Sequence, residues 1–121
     1  MTGGASGSRW VLLLESGDAG RLTEAASMAA SAASLGSDVT LIWLAGALQA
    51  LVSGRLDDGP GSAADLLAEA RETGRVRMLA CSAAAVRRGA SPDTVRSCVD
   101  EVVGWPTIVS LLRSSEKCFV W

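Results

Sequence analysis

The sequence contains no histidine. That removes the usual general base at neutral pH, the commonest metal ligand and every Ser-His or Cys-His nucleophilic pair, so a nucleophile in this chain has to be activated by other means. Lysine is nearly absent as well. Of the 11 Lys and Arg residues only Lys117 is a lysine, which leaves that one position for Schiff-base chemistry. The three cysteines, Cys81, Cys98 and Cys118, form neither a CxxC pair nor a zinc-ligand array. An odd, scattered set of thiols fits a reduced, cytoplasmic protein, and neither a metal nor an organic cofactor is expected. The turn Gly17-Asp18-Ala19-Gly20 lacks the G-x-G-x-x-G spacing, and no G-K-[ST] occurs anywhere, so nucleotide binding has no motif to stand on. A net charge of −2 with the two signs interspersed gives no footprint for nucleic acid and no polybasic patch for a membrane. The apolar run after the first residues is too short for a signal peptide or a membrane span.

What is present is enough chain, 121 residues, for one compact domain with a real core. Residues 1–8 are rich in glycine and serine and read as a flexible leader, followed by a single domain over 9–121. The apolar run 10–14 predicts a strand buried on both faces. Beyond the glycine turn, Leu22, Ala25, Ala26, Ala29 and Ala33 share one face of a helix that reaches about Leu35, with Gly36 just past its end. Residues 39–44 predict a second strand and 47–52 a short helix, then a Gly/Pro loop over 53–61 that is expected to be the most mobile part. Ser62 and Asp65 make an S-x-x-D cap for a helix with Ala63, Leu66, Leu67 and Ala70 on its buried side, closed by Gly74. A third strand over 76–80 delivers Cys81, and one or two helical turns follow up to Gly89. Ser91-Pro92 opens a helix to about Cys98, a short strand falls within 99–103, and Gly104-Trp105-Pro106 opens a last helix with Ile108, Leu111 and Leu112 as its buried stripe. Residues 117–121 close the series as a strand. Strands alternating with helices predict an α/β fold, an open and mostly parallel five-stranded sheet with helices on both faces.

In such a sheet, ligands bind beyond the carboxyl ends of the strands. That rule selects Gly17, Asp18, Gly46, Ser82 and Trp105 as ligand-side candidates, and Cys81 as the one strongly nucleophilic side chain among them. A thiol reacts as its thiolate, and without histidine the available means of favouring it are a helix start, backbone N–H groups or an arginine. Free cysteine also serves as a small core hydrophobe, so the residues leave both roles for Cys81 open. For Cys98 and Cys118 packing is the favoured reading. Turn geometry accounts for Gly17 to Gly20, solvation for Asp57 and Asp58, and core or interface packing is an equal alternative for Trp105.

The strand running into Gly17-Asp18, the alanine-rich helix ending at Gly36, the strand over 39–44, and Gly74-x-Val76 leading to Ala80-Cys81-Ser82 together resemble the DsrE/DsrF-like family of small sulfur-relay proteins. The resemblance implies a five-stranded α/β sheet and assembly as trimers, hexamers or hetero-oligomers. It also implies, at the position of Cys81, a cysteine that carries a persulfide between a sulfur donor and an acceptor protein. A non-catalytic oligomer that binds a small ligand or another protein is the alternative, and a redox sensor with a resolving thiol near Cys81 is a third reading.

Overall fold

A computed structural model describes residues 8–56 and 61–121. Of the expected leader only Ser8 is included, and Asp57 and Asp58, with the tip of the 53–61 loop, lie outside the described residues.

Eleven elements follow in order among the described residues: β1 (Arg9–Leu14), α1 (Ala19–Ser34), β2 (Asp38–Trp43), α2 (Ala45–Val52), α3 (Ala63–Glu72), β3 (Val76–Cys81), α4 (Ser82–Arg87), α5 (Pro92–Cys98), β4 (Glu101–Val103), α6 (Trp105–Ser114) and β5 (Lys117–Val120). The strands form one sheet in the order β4-β3-β2-β1-β5, and every pairing is parallel. The sheet is therefore wholly parallel, and all five strands end on one edge.

Local chemistry explains where the helices start and stop. Asp18 caps α1 by accepting from the Arg21 amide at 3.0 Å, and Ser62 caps α3 by accepting from the Asp65 amide at 3.2 Å. Asp65 reaches back to the Gly61 amide rather than to Ser62, so the capping box closes one residue early. At the far end of α1, Gly36 adopts a φ of 97°, and the amides of Gly36 and Ser37 bond back to Ala33 and Ala32, the pairing that a left-handed residue makes possible.

Strand pleating sorts the core into two layers. Trp10, Leu12, Leu14, Val39, Leu41, Trp43, Met78 and Ala80 face α1 and α3, which pack against each other over that side. Small residues on α1 (Ala25, Ala26, Ala29, Ala32, Ala33) let the helix lie close to the strands, and every one of them is buried. The opposite face carries Val11, Ile42, Leu79, Cys81 and Val103, and α6 is the helix that crosses it. Only Ile108 of α6 is fully buried; Leu111 and Leu112, expected to share its stripe, are half-buried because one helix cannot span five strands set about 4.8 Å apart. Phe119 stacks obliquely between Trp10 and Trp121, with ring centroids 5.6 and 6.0 Å apart, where β5 borders β1. None of the described helices is long and apolar enough to cross a membrane.

Candidate functional site

The carboxyl edge of the sheet gathers the exits of β1, β2, β3 and β4, as a parallel sheet must. Two groups form along it. After β1, the amides of Glu15 and Ser16 both donate to the main-chain oxygen of Trp121 at 2.8 Å, while the Glu15 carbonyl accepts from the Ala47 amide at 3.0 Å. These bonds draw the exits of β1 and β2 together until Gly17 touches Gly46. A Cβ on Gly17 would stand 2.7 Å from the Gly46 carbonyl oxygen, a separation real side chains do not reach, so this contact is open only to glycine. Between the two exits Ala45 holds a φ of 44°, the one left-handed non-glycine among the described residues. Asp18 stands beside this pair, exposed, its carboxylate committed to the α1 cap and its amide bonded to Ser16 Oγ at 3.1 Å.

The second group lies at the exits of β3 and β4. Cys81 ends β3, Ser82 begins α4, and Gly104 and Trp105 follow β4, which pairs with β3 through Cys81 and Val103. The space beside Gly104 reaches Ser82 Oγ, 3.9 Å from a Cβ built there. Ser82 is exposed and Trp105 is 45 % exposed. Cys81 is not open to solvent: it is 1 % exposed and lies on the sheet face that α6 crosses. The edge thus places Cys81, Ser82 and Trp105 at the exits of β3 and β4, and Gly17, Asp18 and Gly46 in a separate cluster at the exits of β1 and β2.

The other thiols are distant. Cys118 is exposed on β5, three strand spacings or about 14 Å from β3. Cys98 is half-buried beside Met78, Leu67 and Leu56, on the face opposite Cys81. Neither is placed as a resolving thiol for Cys81. Among the described residues no three His, Cys, Asp or Glu side chains stand together as a metal site.

Two features were not anticipated from the sequence. The Trp43 indole N–H, buried near the end of β2, has no acceptor among the described residues. At the opposite, amino edge, a groove of about 300 Å3 runs between α6 and the strands, lined by Arg9, Asp38, Thr40, Arg77 and Ser114 among others. Its signal was in the strands: Asp38 and Thr40 in β2, and Arg77 in β3, are polar at inward-alternating positions of strands that a parallel sheet otherwise buries on both faces.

Comparison with known proteins adds the family. No curated protein matches the chain in sequence. A solved structure of a protein of unknown function from Methanobacterium thermoautotrophicum superposes with a TM-score of 0.69 at 18 % identity, over 93 % of this chain and 98 % of that one, which shows a shared fold. The DsrE/DsrF-like family model matches residues 11–121, from within β1 through β5, and the chain therefore belongs to the DsrE/DsrF-like family.

Proposed function

We propose that the protein is a sulfur-relay carrier in which Cys81 accepts a sulfane sulfur and hands it on. Family membership supports sulfur relay in general, and one observation carries the assignment to a residue: Cys81 is the nucleophilic side chain at the carboxyl edge, fixed where β3 passes into α4. In the transfer the Cys81 thiolate attacks the outer sulfur of a donor persulfide, R–S–SH. A bond forms between Cys81 Sγ and that sulfur, the donor's S–S bond breaks, and the donor leaves as R–S⁻. An acceptor thiolate then repeats the attack on the Cys81 persulfide and frees the Cys81 thiolate. The exchange needs neither histidine nor metal. In this reading Ser82, next in the chain, and Trp105, two residues past the strand partner of Cys81, are the ligand-side neighbours, with Gly17, Asp18 and Gly46 farther along the same edge.

Incubation with a small-molecule persulfide donor, followed by peptide mass spectrometry, should add one sulfur to the Cys81 peptide and none to the corresponding peptide of Cys81→Ser. An unmodified Cys81 peptide would overturn the assignment.

A second reading, a non-catalytic oligomer working through its surface, is favoured by the depth of Cys81 and by the apolar groups exposed on the α6 side: Trp105 at 45 %, Val109 at 46 % and Val120 at 56 %. Under that reading the cellular role of the protein survives Cys81→Ser.

A further inference from the structure

We propose that the first turns of α6 are a movable cover over Cys81, hinged at Gly104, and that the thiol reacts only when this cover lifts. The inference rests on Cys81 being the reacting group. Three observations carry it.

The thiol is sealed, at 1 % exposure, yet it ends a strand at the edge where ligands arrive. Something close by has to move before any sulfur donor can touch it. The pleat points Cys81 to the α6 face, and its partner across the β3–β4 pairing is Val103, from which the chain passes through Gly104 directly into α6. Gly104 itself lies against Ser82, the residue after Cys81. The start of α6, two residues beyond the pairing partner of Cys81, is the segment so placed.

The second observation is how lightly α6 is fastened. Ile108 is its one fully buried residue of ten, whereas α1 buries six. Trp105 and Val109, one turn apart, face solvent. No side chain caps the start of α6, and among the described residues none of the ion pairs includes one of its side chains. A segment with few buried apolar contacts opens locally at a free energy well below that of global unfolding. The far end is held better, because the Glu116 amide bonds to the Arg9 carbonyl and leads into β5.

The third is the hinge. Gly104 has extended backbone, φ −98° and ψ 174°, and a Cβ there would lie 3.6 Å from Pro106 Cδ and 3.9 Å from Ser82 Oγ, ordinary contact distances. Alanine fits this site in the closed form. What glycine adds is freedom for the chain to swing away.

The test is the rate at which iodoacetamide alkylates each thiol of the native protein, read by peptide mass spectrometry, with exposed Cys118 as the internal reference. Gly104→Ala should slow labelling of Cys81 by roughly two- to fivefold through lost hinge freedom. Ile108→Ala should speed it by about tenfold or more by removing the single buried anchor. Cys118 should keep its rate in both. Equal Cys81 rates in all three proteins, or a wild-type rate that follows urea as steeply as global unfolding does, would overturn the cover. If Ile108→Ala fails to fold, Gly104→Ala decides. Repeating the series with a persulfide donor separates the two proposals. Labelling that responds to the variants without sulfur uptake leaves the cover and removes the relay; sulfur uptake at one rate in all three leaves the relay and removes the cover.

Discussion

Ala45 turns the corner from β2 into α2 with a φ of 44°, a conformation that brings its Cβ too close to the following carbonyl. The left-handed placement costs an L-residue roughly 1–2 kcal/mol, and glycine removes that cost while giving up part of the gain to the unfolded chain. Ala45→Gly should therefore raise stability by about 0.5–1 kcal/mol, seen as a higher urea midpoint at unchanged slope. A lower midpoint would mean that the methyl group makes packing contacts worth more than the strain. The neighbouring pair, Gly17 against Gly46, was legible in the sequence only as turn glycine. Its actual reason is a contact between two exits 29 positions apart, which no local pattern can announce. The same holds for Cys81. Its place at a strand end could be read from the apolar run before it, but its depth depends on what packs over its face of the sheet, which segments far along the chain decide.

Among the elements, β4 is the smallest strand, three residues paired to β3, and its attachment depends on a side chain just ahead of it. The Asp100 amide donates to the Met78 carbonyl at 2.8 Å, and Asp100 Oδ2 accepts from the Met78 amide at 2.8 Å, so the carboxylate stands in for a missing ladder partner. Asp100 Oδ1 meets Arg71 Nη2 of α3 at 2.7 Å, tying the strand to the helix that covers it. Exposed ion pairs contribute little, but the Met78 amide belongs to a buried residue and loses its acceptor if the carboxylate goes. Asp100→Ala should cost about 1–3 kcal/mol in urea unfolding, and Asp100→Asn, which keeps an oxygen for the amide, should recover most of it. Equal losses in the two variants would assign the effect to the ion pair instead. Helix ends were readable where they are punctuated, at Ser62, Gly36 and Gly89, whereas Asp18, read as part of a turn, proves to be the cap of α1, which starts already at Ala19. The half-exposure of Leu111 and Leu112 was not, since their spacing is that of a buried stripe and only the width of the sheet beneath decides how much of it is covered.

At the scale of the molecule, the two sheet faces are unequally clothed. Several helices cover the α1–α3 side, where Leu35 at the end of α1 is exposed, whereas the single helix α6 on the other side leaves Trp105, Val109 and Val120 exposed, with Leu13 half-buried beside Val120. Apolar groups gathered on one side, on a chain of this size, are what a subunit contact buries. Light scattering at micromolar concentration should give a mass of several chains, and Val109→Asp should lower it while leaving the α-helical circular dichroism intact; a monomer in the wild type would contradict the expectation. The alternation of strands and helices made the class of fold readable from the sequence. The strand order was not, because the crossover that carries the chain back past β3, β2 and β1 leaves no mark on local pattern.

That order has a consequence for how the protein is made. β1 takes β2 as its neighbour early, but its other edge is filled by β5, whose residues are the last of the five strands to leave the ribosome. Until then β1 holds an unpaired row of amides and carbonyls next to Trp10, and the Glu15 and Ser16 amides wait for the Trp121 oxygen. Pairing between segments so far apart is slow to form and offers strangers an edge to add to in the meantime. The closing strand thus acts as the final stitch: synthesis that stops short of it leaves a four-stranded sheet with β1 as a bare edge.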